Sequence, residues 1–151
     1  MCSSDLLVRL SLWSRDKDGE PQGVIGHETA LRLYELSDLM PGQYHLSVPK
    51  GFRKIPPPGV VLHKANLELE DWGWRTGYRI TTALRTLIDL ALDHLIPEHL
   101  ETATRQALER GLVRRKKLEA SLASLPASAK ATLTRALHKA SESSPREAEQ
   151  P

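Results

Sequence analysis

A histidine and a glutamate stand side by side at the start of a predicted helix, an arrangement that could serve metal chemistry. In zinc proteases the helical motif His-Glu-x-x-His supplies two histidine ligands and a glutamate general base. Here His27 and Glu28 are adjacent, but the position of the second histidine holds Leu31. The sequence therefore does not support a zinc protease, and we expect His27 to lie on the protein surface just ahead of a helix.

The other histidines show no spacing that is typical of a metal site. His94 and His99 are five residues apart and do not share a helix face, while His45 and His63 fall on the polar faces of predicted strands. The single cysteine, Cys2, excludes a zinc site made of several thiolates. We therefore expect no metal ion and no cofactor, and we expect structural or surface roles for these histidines.

An acidic run, Glu-Leu-Glu-Asp, supplies carboxylates without the partners that a nuclease needs. Glu68, Glu70 and Asp71 are clustered, but no lysine follows on a strand at nuclease-like spacing. The sequence also has no G-x-S-x-G nucleophile elbow, no P-loop and no G-x-G-x-x-G turn. A solvated acidic loop is the commoner role of such a run, so we expect that the protein is not an enzyme and has no catalytic residue.

Two short basic stretches are candidate contacts for a nucleic acid or a partner protein. The first, KGFRK, contains the single phenylalanine, Phe52, which either covers a small sheet or forms an exposed anchor. The second, RRKK, is either the solvated start of a helix, where cations oppose the helix dipole, or part of a phosphate-binding patch. The candidate contacts are Lys50, Phe52, Arg53, Lys54, Arg114, Arg115, Lys116 and Lys117.

The composition of this 151-residue chain is that of one ordinary globular domain. Aromatic residues make up only 5%, so the core must consist mainly of aliphatic side chains. The net charge of +2 does not by itself indicate nucleic acid binding. The cysteine content excludes an internal disulfide framework and fits the reducing cytoplasm, and no apolar run approaches the roughly 20 residues of a membrane span.

Alternation of apolar and polar residues predicts four short strands that would position these side chains. In YHLSVP, residues Tyr44, Leu46 and Val48 should face the core, whereas His45 and Ser47 should face solvent. The other three predicted strands are LLVRLSLW at 6–13, VVLHKANL at 60–67 and GYRITT, the last preceded by DWGW.

The strongest helix signal is TTALRTLIDLAL, at 81–92. Thr81 or Thr82 can supply its N-cap. Arg85 and Asp89 are four residues apart, and form either a surface pair or a buried or partner-facing ion pair. Its buried stripe is predicted to contain Leu84, Leu87, Ile88, Ala91 and Leu92.

The remaining helices complete the predicted fold. One helix is predicted near 27–36, and another begins at Pro97, with Gly111 suited to its C-cap. Two more begin at RRKK and at PASAK, and the last eleven residues have the composition of a disordered tail. These elements predict an α+β fold, in which a small, mostly antiparallel sheet packs with about four to five helices.

Taken in order, several of these segments resemble the C-terminal domain of AbiEi-family antitoxins, which belong to type IV toxin–antitoxin systems and are often described as transcriptional regulators. The resemblance spans about residues 8–119. The segments that carry it are GVIGHETALRLYELSDLMPGQYHLSVPKGFR, GVVLHKANLE, GYRITTALRTLIDLA and ALERGLVRRKKLE.

The resemblance implies a non-catalytic domain, at 24–123, that neutralises a nucleotidyltransferase toxin, followed by a helix and tail at 124–151. Members of the family typically regulate their operon through an N-terminal winged helix, of which residues 1–23 would keep only a last strand and a linker. The start MCSSDL also matches a translated sequencing adapter, so we expect the chain to be a fragment. The chain lacks the Gly-Ser and paired-aspartate motif of the toxin.

A second hypothesis is a stand-alone nucleic-acid-binding protein. It would use the basic patches 50–54 and 114–117, provided that they converge on one surface.

Overall fold

The computed structural model describes residue 17 and residues 22–36, 42–75, 77–93 and 97–142, apart from the side chains of 141 and 142. The predicted strand at 6–13 lies outside these residues. So does the predicted tail from residue 143 onward.

The described strands form one mixed, five-stranded sheet in the order β3-β2-β1-β5-β4. The pairs β1/β2 and β4/β5 are antiparallel, whereas β1/β5 and β2/β3 are parallel. The segment DWGW, predicted only to lead into a strand, supplies most of β4. The strands are β1 (Val24–Ile25), β2 (Tyr44–Val48), β3 (Val60–Lys64), β4 (Trp72–Arg75) and β5 (Tyr78–Thr81).

The described residues also form five α-helices, which confirms the predicted α+β class. The second helix packs against the first, the third and the fifth, so it lies at the centre of the helical layer. None of the helices is both long enough and apolar enough to cross a bilayer. The helices are α1 (His27–Leu33), α2 (Ala83–Leu92), α3 (Pro97–Glu109), α4 (Arg115–Leu122) and α5 (Ala127–Glu142).

The central helix α2 begins as predicted, but its buried face differs from the predicted stripe. Thr82 Oγ1 accepts a hydrogen bond from the N–H of Arg85 at 3.1 Å, which confirms one of the two predicted N-caps. Leu87 and Leu90 are fully buried, whereas Leu92 is 39% exposed. Helices pack against α2 on more than one side, so its buried face includes Leu90, which was not in the predicted stripe. Leu84, which was in that stripe, is only partly buried.

The end of α3 confirms the prediction for Gly111. The N–H of Gly111 donates to the carbonyl of Leu108 at 3.2 Å, and the N–H of Leu112 donates to the carbonyl of Ala107 at 2.9 Å. This is the Schellman pattern of helix termination. Gly111 has a φ of +73°, a conformation that a side chain would strain.

Within the described part of the chain, two hydrophobic clusters make up the core, and Tyr34 lies between them. One cluster is formed mainly by the helices and the other by the sheet and α1, and the Tyr34 ring packs against both. The Tyr34 hydroxyl donates a hydrogen bond to the carbonyl of Thr81 at 2.7 Å. A guanidinium nitrogen of Arg110 donates to the carbonyl of Tyr34 at 2.6 Å, so the turn after α1 is fixed to both β5 and the end of α3.

Candidate functional site

Three histidines that are far apart in the sequence lie together at the start of α1. His27 is the first residue of α1, His45 lies in β2 and His63 lies in β3. The ring centroids of His27 and His63 are 3.6 Å apart, with an angle of 12° between the planes, and those of His45 and His63 are 5.1 Å apart. We call these three residues the histidine cluster. The expectation that His27 lies on the surface is wrong, because only 5% of this residue is exposed.

The strand register explains why two of the histidines meet. In the parallel pair β2/β3, His45 is opposite Val61, and Ser47 is opposite His63. His45 and His63 are therefore diagonal neighbours on one face of the sheet, within reach of each other. The Nδ1 atom of His45 lies 2.8 Å from the Nε2 atom of His63.

The predicted solvent face of β2 is in fact covered, which corrects the prediction of a half-buried strand. Both His45 and Ser47 are buried. The start of α1 contributes to this cover, because the His27 ring stacks with His45 and His63. Position 26 has little free space, since an added Cβ would lie 3.1 Å from Ser47 Oγ. The Gly26 N–H also donates to the carbonyl of His45 at 3.1 Å. A residue without a side chain at position 26 thus allows the chain to bring the next residue, His27, against the strands.

The backbone of His27 is itself unusual. Its φ of +50° lies in the left-handed region, which non-glycine residues rarely adopt, although histidine does so more often than most. Such conformations cost about 1–3 kcal/mol and persist where the surrounding structure imposes them. This conformation accompanies the stacking of the His27 ring on His63.

Two carboxylates adjoin the histidine cluster. Asp93 is the C-cap residue of α2, and its Oδ2 atom lies 3.8 Å from His27 Nε2 and 3.6 Å from His63 Nδ1. On the other side, Glu28 Oε2 lies 3.7 Å from His45 Nε2. The Asp93 side chain is 48% exposed, so the cluster reaches the protein surface there.

Burial keeps the histidines neutral at pH 7. The pKa of His27 is lowered to about 3, and burial is the largest cause. The neighbouring His63, His45 and Arg85 lower this pKa further. Burial also lowers the pKa of His45 and of His63, although the nearby carboxylates act in the opposite direction. Neutral imidazoles have a free lone pair on one nitrogen, which is the form that ligates metal ions.

The geometry identifies a set of groups that could hold a metal ion. One nitrogen each from His27 and His63 and one carboxylate oxygen of Asp93 all lie within 4.8 Å of one another. Sequence spacing missed this set because its members come from three different elements. The available signal was that His45 and His63 share the polar side of two predicted strands, but the pairing of those strands was not predicted.

A charged network adjoins the histidine cluster. The Arg85 Nε atom lies 2.9 Å from Asp89 Oδ1, and its Nη1 atom lies 3.8 Å from Asp71 Oδ2. The Asp89 side chain is only 4% exposed. Of the two predictions for Arg85 and Asp89, a surface pair or a buried or partner-facing ion pair, the buried ion pair is therefore correct. Burial raises the pKa of Asp89 to about 6 even though Arg85 favours its ionised form.

The acidic run has a local structural role. Leu69–Asp71 forms a short 3₁₀ helix, and Asp71 Oδ2 accepts a hydrogen bond from the N–H of Glu68 at 2.9 Å. Glu68 and Glu70 are exposed, in line with the predicted solvated loop.

The basic stretch KGFRK lies in the connection between β2 and β3. Phe52 is buried, so it covers the fold rather than forming an exposed anchor. Lys50, Arg53 and Lys54 are exposed, and the following Ile55 is 87% exposed.

The second stretch lies in the helical layer. Arg114 is the N-cap of α4, and Lys116 and Lys117 are exposed. Arg115 is half-buried, and its Nη2 atom donates to the carbonyl of Leu137 in α5 at 3.4 Å. The two basic stretches thus belong to different parts of the fold, one to the sheet and one to the helices.

No family model matches the chain, and it has no match among the curated proteins. The resemblance to AbiEi-family antitoxins rests on the residue patterns of the sequence alone.

Proposed function

We propose that this chain is a non-catalytic antitoxin and regulatory domain of the AbiEi type, which acts in the cytoplasm by binding a nucleotidyltransferase toxin. The observation that carries the proposal is the convergence of the segments that resemble the family. GHETAL contributes His27, HLSVP contributes His45 and VVLH contributes His63 to the histidine cluster. The segment RTLIDLA belongs to α2, whose C-cap supplies Asp93.

This convergence supports the resemblance for a simple reason. Short matches that arise by chance need not meet in space, and 13, 10 and 21 residues of other sequence separate these four segments. In one structural unit, however, the polar residues of such segments would meet as these do. This arrangement is what the proposal expects if the matched segments belong to one domain.

The β2–β3 connection is the surface that we assign to the toxin. Phe52 anchors it in the fold, while Arg53, Lys54 and Ile55 remain exposed. Exposed cations beside an exposed aliphatic side chain suit a partner with an acidic rim around an apolar contact.

The proposal can be tested by co-expressing the chain with a nucleotidyltransferase toxin from a type IV system and following bacterial growth. We expect growth to recover and the two proteins to co-purify. The double variant Arg53→Glu, Lys54→Glu should abolish both effects because it reverses the charge of the connection. The matched control Lys130→Glu, Arg135→Glu reverses two exposed charges on α5 and should leave both effects intact.

Failure of the wild-type chain to restore growth with the toxin encoded beside its own gene would contradict the proposal. Equal loss of rescue in the two double variants would contradict the choice of surface.

Nucleic acid binding is the second candidate, favoured by the exposure of every cation in the two basic stretches except Arg115. Lysine and arginine side chains on such a surface would contact phosphates, and phosphate contacts do not specify a base sequence. Binding should therefore weaken steeply with salt, with a log–log slope near −0.9 for each phosphate neutralised. A gel-shift titration of a promoter fragment and a scrambled duplex at two salt concentrations tests this. A preference for the promoter that survives at the higher salt concentration would favour a specific DNA reader over the toxin-binding domain.

A further inference from the structure

The histidine cluster has a chemical capacity that toxin binding does not require. We propose that His27, His63 and Asp93 bind one divalent transition metal ion of the zinc class, through His27 Nε2, His63 Nδ1 and a carboxylate oxygen of Asp93. This inference is independent of the proposed function, because it concerns a site that the chain forms by itself.

The donor set suits zinc. Two neutral imidazoles and one carboxylate are the protein ligands of many open zinc sites, where a water molecule takes the fourth position. In a tetrahedral site with bonds of about 2.0–2.1 Å, ligand atoms lie roughly 3.3 Å apart. The Asp93 oxygen is 3.8 Å from His27 Nε2 and 3.6 Å from His63 Nδ1, so each distance must shorten by only a few tenths of an ångström.

The ring stacking defines the movement that binding requires. A metal ion lies close to the plane of each imidazole that ligates it, whereas the planes of His27 and His63 are only 12° from parallel. One ring must therefore tilt to direct its lone pair at a shared ion. Asp93, with about half of its side chain exposed, closes the site from the solvent side and is free to follow this movement.

The hydrogen bond between the histidines provides the outer support of the site. If His63 Nδ1 ligates the metal, the His63 proton must be on Nε2, and it is donated to His45 Nδ1 across 2.8 Å. The His45 proton is then on Nε2, which faces Glu28 Oε2 at 3.7 Å. A carboxylate that orients a ligating histidine is a recurrent feature of zinc sites. Here the carboxylate is Glu28, and it acts on His63 through His45, which lies between them.

The charges around the cluster are compatible with a cation. Glu28 and Asp93 face it with two carboxylates. Arg85 adds an opposing positive charge, but its guanidinium is paired with Asp89 and Asp71. The strained backbone of His27 fits this assignment, since such strain is found where a side chain must hold a particular position.

Metal titration of the chelator-treated protein tests the proposal. The visible absorption of added Co²⁺ should report a low-symmetry site with one ion per chain, and Zn²⁺ should displace it and raise the melting temperature. His63→Ala and Asp93→Ala should each abolish stoichiometric binding. Glu28→Gln should weaken binding by about 10–100-fold, the usual effect of losing an outer carboxylate. The control His138→Gln alters an exposed histidine in α5 and should bind as the wild type does.

Circular dichroism establishes that each variant is folded. If His63→Ala fails to fold, Asp93→Ala decides the result, because that side chain is half exposed and its removal leaves no cavity. Absence of a bound equivalent in the wild type would overturn the proposal, and so would binding that is unchanged in folded Asp93→Ala.

Discussion

His45 and His63 are joined by the approach of His45 Nδ1 to His63 Nε2 at 2.8 Å, although the residues are eighteen positions apart in the sequence. Because each ring has one proton when neutral, the tautomer of one histidine fixes that of the other. One of the two protons lies in this hydrogen bond. The other is on His45 Nε2, facing Glu28, or on His63 Nδ1, facing Asp93.

The first prediction concerns the core of α2. Leu87→Ala should lower the free energy of unfolding by about 2–5 kcal/mol, because it leaves a cavity at a fully buried position. Leu84→Ala should cost less than about 2 kcal/mol, since Leu84 is only partly buried. Chemical denaturation of both variants measures the difference, and equal losses would show that the two positions are packed alike.

The second prediction concerns the end of α3. Gly111→Ala should destabilise the protein by roughly 1–2 kcal/mol, because alanine resists the left-handed conformation at this position. Gly51→Ala is the matched control, as it adds the same methyl group in open space at a residue whose φ is not positive. It should change the stability by less than about 0.5 kcal/mol. The same loss in both variants, measured by urea unfolding, would count against the conformational argument.

The third prediction concerns the buried Asp89. The folded protein favours its protonated form, with a pKa of about 6 against the ordinary 3.8. The stabilising contribution of the protonated acid is therefore complete below about pH 4 and is lost as the pH rises through about 6. Relative to Asp89→Asn, the wild type should thus lose on the order of 1–3 kcal/mol between these limits. The charged groups that act on Asp89 are Arg85, Asp71 and Asp93, and all are retained in the variant.

Urea unfolding of the two proteins at several pH values provides the measurement. A stability difference that stays constant with pH would mean that Asp89 has an ordinary pKa in the folded protein.

Local signals predicted the parts of the fold that depend on a few neighbouring residues. Thr82 caps α2 and Gly111 ends α3 because each acts on backbone groups within one helical turn. The burial of His45 and Ser47 was not predictable in this way, since it depends on how the start of α1 packs against β2. The histidine cluster also requires the parallel register of β2 and β3, which alternation within one strand does not determine.

The fourth prediction is that the chain has no hydrolytic or nucleotidyl-transfer activity, even with zinc added. Glu28, the carboxylate beside the cluster that is not a proposed ligand, faces His45 Nε2, on the side of the ring away from His63. We therefore expect Glu28 to support the cluster rather than to activate a water molecule on a bound metal ion. Assays with DNA, RNA and nucleoside triphosphates measure turnover. Zinc-dependent turnover that is lost in His63→Ala would make the cluster a catalytic centre.

The position of Tyr34 between the two hydrophobic clusters determines how the molecule loses its structure. Its ring packs against both clusters, its hydroxyl is bonded to Thr81 in β5, and its carbonyl is bonded to Arg110 after α3. Melting of either cluster would expose part of this shared side chain and disturb at least one of these bonds. We therefore expect the sheet and the helical layer to unfold as one cooperative unit. Heating should give a single calorimetric transition whose van't Hoff and calorimetric enthalpies agree.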